Sequence, residues 1–172
     1  HLPRGIRVDT TSSALTTDVF AGGVWRLLEL FLRNYDACVA AYNDAIEEAG
    51  VGLNLLRGEH GELPFFAVLR REGHMVRTAV SFQDGGLHAG DISWSVDGMV
   101  GDCGGGAGVP SDILSIAGKA MLLVLQVRLR PGGSALALPR QGSLYMPAAH
   151  AFERNLLGNG QPRQLFHADA IQ

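Results

Sequence analysis

The sequence predicts a single α+β domain in which a small antiparallel β-meander is covered by a long N-terminal helix and by one or two C-terminal helices. Three observations predict this class. Apolar residues recur every three or four positions between Val24 and Gly50, which is the period of an amphipathic helix. Residues 63–96 instead alternate between apolar and polar types and are divided by tight glycine turns. A second apolar segment, residues 111–130, follows a glycine-rich stretch and is expected to be helical.

The N-terminal helix is predicted from Val24 to Gly50. Its apolar stripe includes Phe31 and Tyr42, and charged residues occupy the opposite face, as is typical of a helix that lies on a core with one side in water. Gly50 is expected to end the helix, because glycine adopts the left-handed conformation of a C-terminal cap without steric cost. Asn34 leaves open a bend or a break into two helices.

The meander is predicted as three strands. Phe65–Arg71 and His74–Gln83 are joined by a tight turn at Glu72-Gly73, and Asp84-Gly85-Gly86 makes the next turn. The third strand is marked by alternation over Ile92–Val96, where Trp94 is expected on the buried face. A three-stranded sheet of this kind exposes one apolar face, so it requires a helical cover.

Residues 111–130 fit a helix that begins with Ser111 as N-cap and ends at Pro131-Gly132-Gly133. The end of this segment also alternates like a strand. The alternative therefore pairs residues 125–130 with residues 135–138 in a hairpin. The pattern favours the helix.

The two ends of the chain carry weaker patterns. Residues 1–17 are polar and show no sustained period, so they are interpreted as an arm or an edge segment. A final helix is predicted from Pro147 to Leu157, because proline is favoured in the first turn of a helix. The glycine-, asparagine- and glutamine-rich residues 159–172 are expected to be loosely ordered. A chain of 172 residues without an evident linker is expected to form one domain.

Charge is distributed unevenly along the chain, whose net charge is −3. Residues 1–112 hold fifteen acidic residues and eight arginines, whereas residues 113–168 hold one acidic and six basic residues. No nucleic-acid-binding signature accompanies the basic residues, so no nucleic-acid partner is expected, and the two halves are interpreted as facing each other. Thirteen arginines beside a single lysine are interpreted as genomic composition.

Cysteine content and hydropathy bear on location. The two cysteines, Cys38 and Cys103, are too few for a disulfide framework, and Cys38 lies in an apolar helical pattern where a thiol serves as a small hydrophobe. No run of about 18 apolar residues occurs, so no membrane partner is expected. A cytoplasmic location follows as the prediction.

The glycine-rich stretch Gly101–Gly108 and the connection Arg140–Tyr145 form the main candidate site. Glycines that lead to a helix start leave backbone N–H groups free for a phosphate or a carboxylate. We therefore expect a non-catalytic module that binds a small polar or anionic ligand, or a protein partner. Lys119 is expected to lie deep in the following helix, where it could not act as a P-loop lysine. The candidate ligand-binding residues are Gly104, Gly105, Gly106, Gly108, Ser111, Arg140, Ser143 and Tyr145.

Cys103 supports an alternative function. The fragment Gly101-Asp102-Cys103-Gly104-Gly105 resembles the nucleophile turn of viral chymotrypsin-like cysteine proteases, in which glycines shape an oxyanion hole and a histidine activates the thiol. The resemblance covers five residues, and the chain departs from that family where a long helix replaces the first barrel. A fold different from that family's could bring His74, His88 or His150 to Cys103 as base, which would make the chain a cysteine-dependent hydrolase or transferase.

The histidines form no metal-binding motif, so no metal and no cofactor is predicted. His74 shares strand parity with Val76 and is expected to be partly buried and hydrogen-bonded. A third functional class, a subunit of a homo-oligomer that pairs through its apolar helix face, remains a hypothesis. No motif in the chain has the spacing that would fix a reaction.

Overall fold

The structure is a computed structural model that describes residues 23–96, 109–128 and 143–158, with side chains described over 27–96, 109–125 and 143–156. The described elements form an α+β fold with a five-stranded antiparallel sheet, which confirms the predicted class. They are α1 (Gly23–Arg33), α2 (Tyr35–Ala49), β1 (Glu62–Arg71), β2 (His74–Gln83), β3 (Gly86–Ala89), β4 (Ile92–Ser95), β5 (Ile113–Gly118), α3 (Ala120–Arg128) and α4 (Met146–Gly158).

The sheet has the strand order β4-β3-β2-β1-β5, and every neighbouring pair is antiparallel. The first four strands form the predicted meander, but it contains one strand more than the three predicted. Residues 86–89 form β3, where the sequence predicts only the connection between two strands. Leu87 and Ala89 are both fully buried there and alternate with half-buried His88, so this short strand repeats the inward and outward alternation of its neighbours.

The N-terminal helix is broken into α1 and α2 at Asn34, one of the two outcomes left open above. Asn34 has a non-helical backbone (φ −136°, ψ 48°), although its N–H still donates to the carbonyl of Leu30 at 3.0 Å. Gly50 ends α2 in the left-handed conformation (φ 60°), and its N–H donates to the carbonyl of Glu47. The predicted C-terminal stop is therefore confirmed.

The prediction of one helix over residues 111–130 is wrong in its first half. Ser111 lies exposed in a turn, and Ile113–Gly118 form β5, which pairs with β1 through Phe66↔Ala117 and neighbouring positions. The apolar residues of this segment fit the helical period and the strand period equally well. The edge of β1 that does not pair with β2 carries backbone N–H and carbonyl groups that need partners, and β5 supplies them whereas a helix would not. The helix begins only at Ala120.

The second half of that segment is helical, as predicted. The chain continues as α3 through Arg128, so the alternative strand beginning at residue 125 is wrong over residues 125–128, and residues 129–142 lie outside the described residues. Helix α4 spans Met146–Gly158, within one residue of the predicted bounds. The predicted arm at 1–17 and tail at 159–172 also lie outside the described residues.

The core lies between the helices and one face of the sheet. Phe31 of α1 meets Phe65 of β1 edge to face with ring centroids 5.7 Å apart, and Tyr42 of α2 meets Phe152 of α4 in the same way at 5.7 Å. All four side chains are almost completely buried. These contacts confirm that the helices cover the sheet. Of the helices described, none is both long and apolar enough to span a bilayer.

Candidate functional site

A pocket of about 430 Å³ opens where β1 begins. The pairing of β1 with β2 is interrupted between Glu62 and Phe66. Four steps along β1, from Glu62 to Phe66, span only two steps along β2, from Ser81 to Ala79. Such a bulge separates neighbouring strands and exposes backbone beside them. The residues that line the pocket are Asn54, Leu55, Arg57, Glu62, Leu63, Ala79, Val80 and Lys119.

Lys119 is positioned by the junction between β5 and α3. Its N–H donates to the carbonyl of Pro64 at 2.8 Å, and its own carbonyl accepts the N–H of Leu122 at 2.8 Å, so the residue ends the strand pairing and begins the helix. The sequence-based expectation that Lys119 lies deep in a helix is therefore wrong. Its half-buried side chain lines the pocket beside the first turn of α3, where amide N–H groups have no acceptor within the helix.

The Lys119 ammonium has no hydrogen-bond or ion-pair partner among the described residues. Desolvation in the pocket lowers the pKa of this group, the positive charge of Arg77 lowers it further, and the carboxylate of Glu62 opposes both effects. Arg77 itself lies over the ring of Phe66, with its guanidinium carbon 3.5 Å from the ring centroid. The pocket therefore contains a cation that the described chain does not neutralise by direct contact.

Glu62, by contrast, is held by Arg57. The Arg57 Nε donates to Oε1 of Glu62 at 2.7 Å, and the backbone N–H of Arg57 donates to Oε2 at 2.9 Å. These hydrogen bonds favour the ionised carboxylate and hold the pKa of Glu62 below its usual range. The pair is fixed in geometry as well as in charge, because both carboxylate oxygens have a donor.

Side chains of α2 anchor the loop that forms one wall. Asn43 donates from Nδ2 to the carbonyl of Leu56 at 3.0 Å and accepts the N–H of Leu56 at 2.8 Å, as a neighbouring strand would. The Tyr35 hydroxyl donates to the carbonyl of Glu62 at 2.9 Å. The wall is therefore attached to α2.

Gly61 allows the loop to approach β2 closely. Its backbone is left-handed (φ +66°), its carbonyl accepts the N–H of Phe82 at 2.7 Å, and a Cβ at this position would lie 2.2 Å from the carbonyl oxygen of Phe82. The Gln83 side chain adds a hydrogen bond from Nε2 to the carbonyl of His60 at 2.6 Å. Only glycine satisfies both the conformation and the contact.

Most of the remaining lining is apolar, and Asn54 adds one polar side chain. Leu63 and Val80 are each 1% exposed and form the floor, whereas Leu55 is 43% exposed and lies at the mouth. An apolar floor combined with a few fixed polar groups is the usual composition of a small-molecule pocket.

The candidate bases do not line this pocket. His74 pairs with Arg71 next to the hairpin turn, whereas His88 pairs with Ser81, seven residues further along β2 and thus roughly 20 Å away. The expectation that His74 is partly buried is wrong, since it is exposed beyond the region that the helices cover. His88 Nε2 lies 3.3 Å from the carbonyl oxygen of Gln83, and His150 is exposed on α4.

Most of the glycine-rich candidate site lies outside the described residues. This applies to Cys103, Gly104, Gly105, Gly106, Gly108 and Arg140, so both the anion cradle and the catalytic cysteine stay predictions. Ser111 does not cap a helix, because β5 and not a helix follows it. Ser143 is exposed, and the carbonyl of Tyr145 accepts the N–H of Ala149 at the start of α4. Neither residue lines the pocket.

Cys38 serves the core, as expected. The side chain is 1% exposed, its Sγ donates to the carbonyl of Leu30 at 3.6 Å, and burial raises the pKa of the thiol to about 12. Among the residues described, no group of three or more His, Cys, Asp or Glu side chains is arranged to hold a metal ion.

Sequence reasoning missed Lys119. A signal was present, because this residue is the single lysine among fourteen strongly basic residues, but it was interpreted as composition alone. Family models, curated proteins and solved structures give no significant match to this chain. Function is therefore inferred from the pocket.

Proposed function

We propose that the chain binds a small organic anion in the pocket at Lys119. The observation that carries the proposal is a half-buried ammonium, without a partner among the described residues, inside a pocket with an apolar floor. A carboxylate or phosphate bound there would gain an ion pair that is shielded from bulk water, and the apolar body of the ligand would cover the exposed part of Leu55.

The surrounding charges support an anion over a neutral ligand. Arg57 also lines the pocket and is paired with the carboxylate of Glu62, and Arg77 adds a further positive charge that acts on Lys119. The side chain of Glu62 is already occupied by Arg57, so it leaves Lys119 to the ligand. The start of α3 contributes partial positive charge at the same place. This proposal keeps the ligand class expected from the sequence and assigns it to Lys119 instead of to the glycine-rich stretch and the connection Arg140–Tyr145.

The pocket volume limits the ligand. About 430 Å³ lies at the lower end of the range for small-molecule sites, so the ligand is a single-ring or short-chain compound and not a dinucleotide or a peptide.

Binding can be tested by thermal unfolding in the presence of benzoate and phenyl phosphate, with benzamide as the uncharged analogue. A ligand that binds only the folded chain raises its Tm with increasing concentration. We expect the two anions to raise the Tm of the natural chain and benzamide to leave it unchanged. Lys119→Gln should abolish the anion effect, because it removes the cation and keeps most of the side-chain volume.

The matched control is Arg70→Gln, which removes an exposed cation from the other end of β1. This variant should respond to benzoate like the natural chain. Equal Tm shifts in Lys119→Gln and in the natural chain, or the absence of any shift with both anions, would refute the proposal.

Two further expectations from the sequence, the cellular location and the oligomeric state, also stay proposals. A cytoplasmic location rests on the small number of cysteines. The subunit of a homo-oligomer stays a proposal, and Leu27, Phe31 and Tyr42 of the apolar helical stripe are buried in the chain's own core.

A further inference from the structure

The chain places its single lysine in its pocket. Its thirteen arginines supply the other side-chain cations, apart from histidine. An arginine at position 119 would bind an anion at least as well, because its guanidinium donates two parallel hydrogen bonds to a carboxylate or phosphate. A lysine offers what arginine cannot, namely an amine that loses its proton and becomes a nucleophile.

The surroundings of Lys119 shift its protonation equilibrium towards the neutral amine. Burial in the pocket and the positive charge of Arg77 both lower the pKa of the group, and Glu62 opposes them only in part. No described carboxylate forms an ion pair with Nζ that would hold the proton in place. The side chain is also accessible, because the pocket it lines is open at Leu55.

We propose that Lys119 Nζ condenses with the carbonyl group of a small aldehyde acid or keto acid to form an imine in the pocket. This inference rests on the proposed function, since the same pocket must admit the anion. An oxo acid combines the two features to which the pocket is suited, a negative charge for its cationic surroundings and a carbonyl carbon for its amine.

The chemical step is balanced without an oxidant or a reductant. The neutral amine attacks the carbonyl carbon, a C–N bond forms, and the carbonyl oxygen becomes a hydroxyl with a proton from the amine. Loss of that hydroxyl with a second proton as water leaves the C=N bond. Amine and carbonyl compound thus give imine and one water, and a protonated imine has the same charge as the ammonium it replaces.

Three charged groups act on this step. Arg57 holds Glu62 as a carboxylate, whose negative charge stabilises the protonated imine. The positive charge of Arg77 acts in the opposite sense and favours the neutral amine and the unprotonated imine. Because the reaction requires free amine, its rate should rise with pH and reach its plateau at a lower pH than for an exposed lysine.

The test uses para-formylbenzoate with cyanoborohydride, which reduces an imine to a stable secondary amine. We expect one adduct at Lys119 per chain, located by peptide mass spectrometry, with a rate that saturates with aldehyde concentration and falls when para-methylbenzoate is added. Lys119→Arg should lose this adduct. The amine at the chain's N-terminus, the only other primary amine of the chain, serves as the internal reference.

Several outcomes separate the two proposals. Lys119→Met is prepared beside Lys119→Arg, so that the test does not depend on the folding of one variant. Circular dichroism shows whether each variant is folded. A modification of Lys119 that does not saturate and is no faster than that of N-acetyl-lysine amide would overturn the imine proposal, while Tm shifts with benzoate would leave the anion proposal standing. Saturable modification of Lys119 without any benzoate effect on Tm would contradict anion binding and not the reactivity of the amine.

Discussion

The two ends of the β1–β2 hairpin differ in how firmly the rest of the chain holds them. At the pocket end, Tyr35 and Asn43 of α2 donate hydrogen bonds to backbone carbonyls of the incoming loop and of β1, and Gly61 is packed against β2. At the turn end, Met75 is 77% and Val76 42% exposed. At these two ends of the hairpin, the described hydrogen bonds from side chains to the backbone of another element lie at the pocket end, which is where a binding site needs fixed geometry.

The turn end relies on local structure. Glu72 and Gly73 both have positive φ (48° and 80°), which is the geometry of a two-residue turn that matches the twist of the strands. One side chain connects this end to distant residues, since the Arg71 guanidinium pairs with Asp91 and lies 3.5 Å from Asp112. Exposed ion pairs of this type contribute little to stability. The difference between the two ends can therefore be measured with matched substitutions.

The largest effect is expected for Gly61→Ala. The new Cβ would meet the Phe82 carbonyl at 2.2 Å in a left-handed conformation, and we expect a loss of more than about 2 kcal/mol in the free energy of unfolding. Gly73→Ala is the matched control, because its φ is +80° but a Cβ there has no neighbour within 4 Å, so only about 1 kcal/mol should be lost. Urea unfolding measures both, and equal losses would show that the loop is not tightly packed at Gly61.

A smaller effect is expected for Asn43→Ala. The substitution leaves the N–H and carbonyl of Leu56 without their partner, and we expect a loss of about 2 kcal/mol or less in the free energy of unfolding. Asp44→Ala, at the exposed neighbouring position of α2, should change it by less than about 0.5 kcal/mol. Benzoate binding should weaken in the first variant only. Unchanged binding by Asn43→Ala would show that the loop keeps its position without this anchor.

The smallest effect concerns pH. The pKa of Glu62 is lowered in the folded chain, so the unfolded chain binds more protons in acid. The stability that this carboxylate contributes is therefore complete above the ordinary glutamate pKa and is lost as the pH falls through the lowered value. Unfolding free energies should therefore decline below about pH 4.3, the usual value for glutamate. Glu62→Gln should flatten this decline, whereas Glu47→Gln, on the exposed face of α2, should not. A decline of equal slope in both variants would contradict the assignment.

The sequence predicted elements whose signals are local. The stripe that includes Phe31 and Tyr42 determines α1 and α2, since period, charge pattern and the terminal Gly50 agree. The hairpin turn at Glu72-Gly73 follows from turn chemistry in the same way. Each of these signals lies within about 25 residues of chain, so no knowledge of distant contacts was needed.

Elements that depend on distant partners were missed. The apolar spacing of Ile113, Ile116 and Ala117 is compatible with either a helix or a strand, and the free edge of β1, more than 40 residues earlier, decides between them. The pocket has the same origin. It joins a loop, a bulge in β1, two residues of β2 and Lys119, segments that local periodicity cannot bring together.

The enclosed thiol of Cys38 makes this residue a reporter of core motion. Its proton is held against the carbonyl of Leu30 beneath α1 and α2, so a thiol reagent reaches it only when these helices separate. Cys103 is the one other thiol in the chain, and any rapid alkylation of the native protein can be assigned to it without mutagenesis. Alkylation of Cys38 then times the opening of the helical layer.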